Sequence, residues 1–366
     1  MAKSPAPRPG LSGRVLITGG SGFLGRAILR RAARENWPAR FTIYSRDETK
    51  QWELKHRYPN ANCLLGDVAR DLPRLIAAMA GHDTVIHAAA VKYIPEAEKN
   101  VFETVEVNVT GSLNVALAAH AAGVAMVVGI STDKACAPLN LYGATKMVME
   151  RAFAEANRLG PTRYVTVRYG NVVGSTGSVI PLFRRQLGES GRISVTDPRM
   201  TRFWLGVDQA IDLILWAAEG AGVFPGHTFI DACPAMSIVE LAGAVYARWC
   251  ADQGREVDAR MPIDFVGIRP GEKLTEQLFN EQEAPRIMRA GLSSESEGFI
   301  LAPATALVSS PMQITPDQIT RARAGLSDYS QPIMISTVDE GYSSGSPSRW
   351  LSVEEMIELM RDAEGV

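Results

Sequence analysis

The feature that most constrains this chain is a glycine-rich turn near its start. An apolar run at residues 15–17 is followed by the sequence TGGSGFLG at 18–25 and then by a helix-like run over about 23–34. Glycines spaced in this way let the backbone bend sharply and approach a pyrophosphate, which the N–H groups at a helix N-terminus attract. The spacing predicts a dinucleotide site. The alternative is an ordinary tight turn between a strand and a helix.

Short apolar runs alternate with helix-like stretches along the first half of the chain. After the first run, further strand-like runs occupy 41–44, 62–65, 84–87, 124–130 and 164–167. Strands that alternate with helices indicate a parallel sheet with helices on both faces. We therefore predict an α/β fold, a doubly wound parallel sheet of the Rossmann type with a smaller C-terminal substrate lobe.

The pattern changes after Asn171. Gly and Pro separate what we expect to be shorter elements as far as about Lys273, which suggests a second lobe. Residues 291–347 are rich in Ser and weakly periodic, which is typical of loops and short strands. Ser352 before the sequence VEEMIELM predicts a capped amphipathic helix near the end of the sequence.

A chain of 366 residues is long enough for one large or two ordinary domains. We expect a Pro-rich disordered tail over 1–12 and an NADP-binding Rossmann domain over 13–170. Residues 171–366 are expected to form mainly a substrate-binding lobe, with some of the chain returning to the sheet.

Composition and charge argue against several classes of function. Lys and Arg number 38 against 40 Asp and Glu, so no basic excess exists for a nucleic-acid surface. The four cysteines and five histidines are scattered, which argues against a zinc site and a disulfide framework. The start of the sequence has no apolar signal segment, and no apolar stretch is long enough to cross a membrane. We therefore expect a cytoplasmic protein.

The end of the second strand bears on the choice between NAD and NADP. An acidic residue there binds the ribose 2′-hydroxyl, whereas an arginine accepts a 2′-phosphate. Ser45 and Arg46 favour NADP, Asp47 favours NAD weakly, and the alternative for Arg46 is an ordinary surface charge. After the third strand, Asp67 is placed to accept a hydrogen bond from the adenine amino group.

A Tyr-x-x-x-Lys motif, Tyr142 to Lys146, stands at a predicted helix start. Residues i and i+4 share a helix face, so we expect Lys146 near the Tyr142 hydroxyl, where its charge should lower the pKa of the phenol. A phenolate there can take a proton from a sugar hydroxyl while a hydride leaves for the nicotinamide. Ser131 and Thr132, just upstream at a strand end, add a hydroxyl that can hold the substrate oxygen.

Several motifs in order resemble one enzyme family. The glycine turn with Tyr142 and Lys146 resembles the extended short-chain dehydrogenases that act on nucleotide sugars. A fuller resemblance, from about Gly13 to Met360, is to the inverting UDP-N-acetylglucosamine 4,6-dehydratases. Its motifs are HAAAVK at 87–92, STDKA at 131–135, PLNLYGATK at 138–146, RYGNVVGS at 168–175, MTRFW at 200–204, RPGEK at 269–273 and YSS at 342–344.

This resemblance implies an NADP-dependent lyase that inverts C5 of the sugar. Oxidation at C4 makes the C5 proton acidic, a base removes it, an acid protonates the leaving C6 hydroxyl, and the hydride returns to C6. The resemblance makes Lys134 the base and Asp133 the acid, whereas retaining relatives carry Asp-Glu at this pair. Lys134 must be neutral to act, so burial, Lys146 and the oxidised nicotinamide are expected to lower its pKa. The alternative for the pair is a solvent-facing loop.

The resemblance also implies the remaining site residues, each of which has a surface ion pair or a packing contact as its alternative. The catalytic set is Thr132, Asp133, Lys134, Tyr142 and Lys146. The cofactor set is Gly19, Ser21, Gly22, Phe23, Leu24, Gly25, Ser45, Arg46, Lys50, Asp67, Val68, Ala88, Ala89, Ala90, Lys92, Tyr142, Lys146 and Val172. The substrate set is Lys92, Ser131, Thr132, Asn171, Ser178, Val179, Arg202, Arg269, Glu272, Tyr342 and Ser343. Arg202 and Arg269 are assigned to the UDP diphosphate and Glu272 to the uridine ribose.

Other functions remain open at this point. A UDP-sugar 5,6-dehydratase would stop at the exocyclic alkene, and a C4 epimerase would have no use for Asp133 and Lys134. A non-catalytic NADP-sensing protein usually has a broken Tyr-x-x-x-Lys motif. Thr176, Thr275 and Tyr93 depart from the family pattern. They leave open which sugar and which nucleobase the substrate carries. The expected partners are a UDP-sugar and further copies of the chain, with no metal, nucleic acid or membrane.

Overall fold

A nine-stranded sheet forms the centre of the protein. The computed structural model describes residues 10–258, 261–291, 297–305 and 340–364. Most of the predicted tail, and much of the Ser-rich stretch, lies outside these residues. The strands are β1 Arg14–Thr18, β2 Arg40–Ser45, β3 Asn62–Leu65, β4 Thr84–His87, β5 Met126–Ile130, β6 Arg163–Arg168, β7 Asn171–Val172, β8 Ile193–Val195, β9 Thr201–Leu205, β10 Thr228–Asp231, β11 Ala235–Ser237, β12 Ile263–Phe265, β13 Gln277–Phe279, β14 Ile287–Gly291, β15 Glu297–Leu301 and β16 Tyr342–Ser343.

Helices cover the sheet and build the lobe beside it. They are α1 Phe23–Arg34, α2 Glu48–Arg57, α3 Leu72–Met79, α4 Ile94–Lys99, α5 Val101–Val105, α6 Gly111–Ala121, α7 Leu141–Ala156, α8 Val179–Ser190, α9 Val207–Gly220, α10 Ile238–Asp252 and α11 Val353–Ala363. Shorter helical turns are a π-helical turn at Glu106–Thr110 and 3₁₀ turns at Asp133–Ala135 and Ala284–Arg286.

The sheet has the order β14-β15-β10-β6-β5-β4-β1-β2-β3. Strands from β3 to β10 run parallel, whereas β15 is antiparallel to β10 and β14 to β15. This confirms the predicted doubly wound, mostly parallel sheet. The strand order reverses between β1 and β4, and ligands of such sheets bind beyond the carboxyl ends of the strands at this point. Three strands, β10, β14 and β15, come from the part of the chain after residue 170.

The strands predicted in the first half all form, and the first helix has the predicted bounds, Phe23–Arg34. The reason is the burial of the sheet on both faces. Val15, Leu16 and Ile17 are each 0% exposed. A parallel strand covered on both sides reads as a continuous apolar run, which is easy to recognise in a sequence.

The expectation of shorter elements after Asn171 is confirmed for several strands, since β7, β8, β11 and β12 have only two or three residues. It is wrong for the helices. The helices α8, α9 and α10 have 12, 14 and 15 residues, because most of the glycines and prolines of this region fall in the connections between elements. The final helix is confirmed. Ser352 caps α11, and its side chain accepts a hydrogen bond from the backbone N–H of Glu355 while the Glu355 carboxylate bonds back.

A smaller lobe lies beside the main sheet. It contains the sheets β11-β9-β7, β12-β8 and β13-β16. Helices α8, α10 and α11 pack there around a second apolar core that includes the fully buried Trp204. The lobe faces the carboxyl ends of the central strands, and a cavity lies between them.

Two kinds of feature are not found in the part of the chain that the structure describes. No helix there is both long and apolar enough to cross a membrane. No group of three or more His, Cys, Asp or Glu side chains there could hold a metal ion.

Candidate active site

A cavity of about 1310 Å³ brings together residues from the sheet and from the lobe. Its walls are the glycine turn, the segments that follow β4, β5 and β6, and the start of α8. The lobe adds β9 and the loop before β13. The site residues predicted from sequence that line it are Gly19, Gly22, Phe23, Leu24, Lys50, Ala88, Ala89, Ala90, Lys92, Ser131, Thr132, Lys134, Tyr142, Lys146, Asn171, Val172, Ser178, Val179, Arg202, Arg269 and Glu272.

The glycine turn leaves the start of α1 open to the cavity. Gly19 has a φ of +65°, and a Cβ there would lie 2.7 Å from the backbone of Ala89. Gly22 occupies the N-cap position of α1, and within the described chain no side chain caps the helix. The first turn carries no acidic residue either. The N–H groups of this helix can therefore take an anionic ligand.

Tyr142 and Lys146 lie one turn apart on α7. The helix starts there because the Asn140 side chain accepts a hydrogen bond from the backbone N–H of Gly143. Lys146 donates from Nζ to the Ile130 carbonyl oxygen at 2.7 Å, at the end of β5. Burial lowers the pKa of Lys146 to about 8, against the opposing charge of Glu150.

The expectation that Lys146 lowers the pKa of Tyr142 is wrong. Burial raises the pKa of Tyr142 to about 12, and the charge of Asp133 raises it further. The cation that opposes this effect is Lys134, helped by a hydrogen bond with Thr132. The tyrosine is therefore coupled to the 3₁₀ turn after β5 more strongly than to its helical neighbour.

Asp133 and Lys134 form a buried pair in that 3₁₀ turn. Lys134 Nζ lies 2.9 Å from Asp133 Oδ1, and the same oxygen accepts a hydrogen bond from the Thr132 hydroxyl at 2.9 Å. Lys134 Nζ also lies 3.4 Å from Asn171 Oδ1. Asp133 is 0% exposed, whereas Lys134 lines the cavity. The pair is thus not a solvent-facing loop.

The expectation of a lowered pKa for Lys134 is also wrong. Burial does lower its pKa, but the carboxylates of Asp133 and Glu276 together outweigh burial and raise the pKa above its ordinary value. Arg202 acts in the direction of a lower pKa. The sequence pattern pointed to Lys146 as the lowering charge and gave no sign of Glu276.

Two arginines stand at the lobe side of the cavity. Arg202 on β9 is held by the carbonyl oxygens of Thr201 at 2.7 Å and Leu274 at 3.2 Å. Arg269 is half-exposed and lies 3.9 Å from the carboxylate of Glu272. Two guanidinium groups facing one cavity can bind a diphosphate, because the planar fork of arginine matches phosphate oxygens.

Several predicted site residues do not line the cavity: Ser21, Gly25, Ser45, Arg46, Asp67, Val68, Asp133, Tyr342 and Ser343. Arg46 is half-exposed and donates to Glu103 at 2.8 Å and to Asp67 at 3.5 Å. The Ser45 hydroxyl is buried and accepts a hydrogen bond from Gln51. Ser45, Arg46 and Asp67 lie at or just after the ends of β2 and β3, beside the glycine turn.

Tyr342 and Ser343 are not brought to the cavity. The Tyr342 ring stacks on Phe203 with centroids 5.4 Å apart, and its hydroxyl bonds to Ser348 at 2.7 Å. The aromatic packing of β16 against β9 therefore uses the side chain that was expected to contact substrate. The neighbouring Ser344, buried in the same motif, contacts the Thr201 hydroxyl at 2.9 Å.

Sequence reasoning missed residues that hold the site in place. Asn108, in the π-helical turn, bonds both backbone groups of Val91 and so holds the loop after β4. A Cβ at Gly143 would collide with the carbonyl of Lys134, so glycine lets the 3₁₀ turn lie directly on α7. Gly143 belongs to the PLNLYGATK motif, so the sequence contained a local signal for this close contact. The contact of Asn108 joins residues far apart in sequence and left no local signal.

The arrangement combines an acid–base cluster with two anion-binding ends. A tyrosine, a lysine and a buried carboxylate lie together, with a helix N-terminus on one side and two arginines on the other. Such a cavity can bind a ligand with two charged parts and move protons at its centre.

Comparison with known proteins identifies the family. The sequence pattern of a family described as polysaccharide biosynthesis protein matches residues 15–291. The chain is 34% identical over 359 residues to a UDP-N-acetylglucosamine 4,6-dehydratase (inverting) of Campylobacter jejuni strain 81-176, covering 96% of this chain and 98% of that protein. It is 38% identical over 277 residues to a UDP-glucose 4-epimerase of Rickettsia massiliae, covering 74% of this chain and 78% of that protein.

Solved structures share the fold. The X-ray structure of Pen from Bacillus thuringiensis matches with a TM-score of 0.78 and 30% identity, covering 97% of this chain and 98% of that chain. A dTDP-glucose 4,6-dehydratase from Streptomyces venezuelae matches with a TM-score of 0.61 and 23% identity, covering 71% of this chain and 86% of that chain. The fold is that of the extended short-chain dehydrogenases. The chain belongs to the polysaccharide biosynthesis protein family, together with the inverting UDP-N-acetylglucosamine 4,6-dehydratases.

Proposed function

We propose that the protein is a hydro-lyase that dehydrates UDP-N-acetylglucosamine with inversion at C5. The product is a UDP-2-acetamido-2,6-dideoxy-4-ketohexose of L-arabino configuration. The observation that carries this proposal is the 2.9 Å contact between Lys134 and the buried Asp133, beside Tyr142. Similarity to the Campylobacter enzyme, at 34% identity over 96% of this chain, supports the same reaction.

The glycine turn fits a dinucleotide. Gly19 lies so close to the segment after β4 that a side chain there would collide with it, and α1 presents its first N–H groups to the cavity. These groups would hold the pyrophosphate, and Lys146 and Tyr142 would hold the nicotinamide ribose. The bound dinucleotide supplies hydride acceptance from C4 and hydride return to C6. Residues 13–170 would thus hold the cofactor and 171–366 mainly the sugar nucleotide.

Arg46 supports NADP over NAD as the cofactor. It lies at the end of β2, where a 2′-phosphate is expected. Asp47, the residue that could bind a 2′-hydroxyl instead, accepts hydrogen bonds from the backbone N–H of Lys50 at 3.0 Å and from its Nζ at 2.6 Å. Because Asp47 is occupied as the cap of α2, it competes weakly for a ribose.

The chain's own groups suggest an order of proton transfers. Tyr142 takes the proton of the C4 hydroxyl as the phenolate, a form that the Lys134 charge favours. Once Tyr142 holds that proton, Lys134 faces one anion fewer and passes its own proton to Asp133 Oδ1, which lies 2.9 Å from Nζ. The neutral Lys134 amine then removes the C5 proton, while Asp133 protonates the leaving C6 hydroxyl. After the hydride returns to C6, C5 takes up a solvent-derived proton on the opposite face, which inverts it.

The lobe supports the choice of a nucleotide diphosphate sugar as substrate. Arg202 and Arg269 would bind the diphosphate, and Glu272 the uridine ribose. Lys92, Ser178 and Val179 line the remaining wall and would contact the sugar or the phosphates. A cytoplasmic location and a homo-oligomeric assembly remain predictions. Light scattering tests the assembly.

A C4 epimerase is the second candidate, favoured by the relatives named UDP-glucose 4-epimerase. Incubation with UDP-N-acetylglucosamine and NADP separates the possibilities by product mass and proton spectrum. The proposal expects a product lighter by one water with a C6 methyl doublet. A product of unchanged mass would indicate epimerisation, and alkene protons without a methyl would indicate a 5,6-dehydratase. Tyr142→Phe serves as the inactive control.

A further inference from the structure

Glu276 is a buried carboxylate at the acid–base cluster that the mechanism above does not use. It immediately precedes β13, and its side chain is 5% exposed. Oε1 lies 3.9 Å from Lys134 Nζ and 3.9 Å from Arg202 Nε. Oε2 lies 3.9 Å from Lys273 Nζ. Lys134 and Arg202 line the cavity, so Glu276 supports two cavity residues from behind.

The backbone of Glu276 is fixed on both sides. Its N–H donates to Ser344 Oγ at 2.9 Å, and its carbonyl accepts from the Ser344 N–H at 2.9 Å. Ser344 is itself tied to Thr201 of β9. Ser344, the second serine of the YSS motif, therefore holds Glu276 in place next to the cavity. This contact gives the motif a structural role although Tyr342 and Ser343 lie away from the cavity.

The carboxylate of Glu276, in contrast, is poorly supplied with hydrogen-bond partners. Its three cations lie at 3.9 Å, beyond hydrogen-bond distance, and Oε2 is buried with no hydrogen-bond partner among the described residues. A buried carboxylate without hydrogen bonds costs free energy, so stability alone does not account for it. Its interaction with the cavity is electrostatic.

The charged and titratable groups that face Lys134 can be named. They are Asp133 from its own turn, Tyr142 from α7, Arg202 from β9 and Glu276 before β13. Glu276 additionally faces Lys273. Burial, together with the charge of Asp133, raises the pKa of Glu276 above its ordinary value, although the three cations act to lower it. Two carboxylates, at 2.9 Å and 3.9 Å, thus lie near one lysine amine.

We propose that Glu276 is a positioning residue for the dehydration, which holds the Lys134 amine in place beside Asp133 and sets the pH at which that amine is neutral. The inference rests on the proposed function, because it assumes that Lys134 is the base. It assigns to Glu276 a part in the reaction although its side chain lies outside the cavity.

The test replaces the charge and keeps the shape with Glu276→Gln. Removing an anion close to Lys134 lowers the pKa of the amine, so the rising limb of the kcat/KM profile should move to lower pH by about one to three units. Glu276→Asp retains the charge and should keep the limb near its original place, even if turnover falls. The control is Glu155→Gln. The carboxylate of Glu155 is exposed at the end of α7, 4.0 Å from Arg158.

A second measurement reads the charge of Lys134 without turnover. Acetylation of Lys134 by acetic anhydride is followed by mass spectrometry across a pH series in the full-length protein. The midpoint should fall in Glu276→Gln and stay unchanged in Glu155→Gln. If Glu276→Gln does not fold, as judged by thermal melting, Glu276→Met offers a neutral side chain of similar size for both measurements.

The inference would be overturned if the parent protein and the neutral variants had the same rising limb of the kcat/KM pH profile and the same acetylation midpoint. Glu276 would then be a structural residue only. Failure of the proposed function gives a different pattern. In that case the parent protein forms no dehydrated product, while the acetylation midpoint still shifts in the neutral variants.

Discussion

Two lysines reach the same cavity in opposite electrostatic surroundings. Lys146 on α7 donates to the Ile130 carbonyl, and burial lowers its pKa to about 8. Lys134, in the turn after β5, is also buried, yet Asp133 and Glu276 raise its pKa. The carboxylate next to Lys146, Glu150, is engaged elsewhere, since it accepts hydrogen bonds from Ser131 and Arg168.

The difference shows that burial alone does not set the charge of a lysine. Opposite charges within about 4–6 Å favour the charged form of the amine, and their balance against burial determines the direction in which its pKa shifts. Lys146, with its amine bonded to a backbone carbonyl, suits a fixed binding role. Lys134, near two carboxylates and facing the cavity, suits a group that gains and loses a proton during the reaction.

The largest expected effect separates the two lysines directly. Lys134→Ala should lower the dehydration rate by roughly 10²–10⁴-fold, the usual contribution of a general base, while dinucleotide affinity is retained. Lys146→Ala should weaken dinucleotide binding as well as turnover. Rates come from product formation and affinities from fluorescence titration. The comparison breaks if Lys134→Ala turns over normally or loses its dinucleotide affinity.

A smaller effect is expected at an exposed cation between two carboxylates, Arg46. Arg46→Asp should change the NADP-to-NAD affinity ratio by roughly 10–100-fold in favour of NAD, since a charge-assisted hydrogen bond contributes about 1.5–3 kcal/mol. The control is Arg70→Asp, because Arg70 is also half-exposed and shares Glu103 with Arg46. Equal use of both cofactors by the parent protein would contradict the proposal.

The smallest effect concerns pH. With a pKa of about 8, the positive charge of Lys146 is present below that pH and is lost as the pH rises through it. Affinity for the anionic dinucleotide should therefore fall several-fold between about pH 7 and about pH 9. Lys146→Met should show lower affinity without this step. Calorimetric titration at a series of pH values measures both, and a step that persists in Lys146→Met would assign it to another group.

The fold could be predicted from sequence because its signals are local. The buried strands appear as short apolar runs, the glycine turn adjoins its helix, and the Ser352 cap lies within one turn of its partner Glu355. Cavity-lining residues such as Ala88, Ser131 and Asn171 likewise follow strands whose carboxyl ends meet at one edge of a parallel sheet.

The electrostatics of the site could not be predicted in the same way. Glu276 acts on Lys134 across more than a hundred positions of sequence, through the pairing of β13 with β16 and its contact with β9. Tyr342, predicted as a substrate contact, does not line the cavity, and its ring stacks on Phe203. The pKa of Lys134 and the position of Tyr342 both depend on packing between residues distant in sequence, which the spacing of residues within a motif does not reveal.

The central claim is that the Lys134 amine removes the C5 proton, and solvent labelling tests it most directly. UDP-N-acetylglucosamine is incubated with the protein and NADP in deuterated water, and the product is analysed by proton NMR and mass spectrometry. The account predicts a 4-keto-6-deoxy product that carries deuterium at C5 in inverted configuration, and no such product from Lys134→Ala. A product with the original hydrogen or the original configuration at C5 would contradict it.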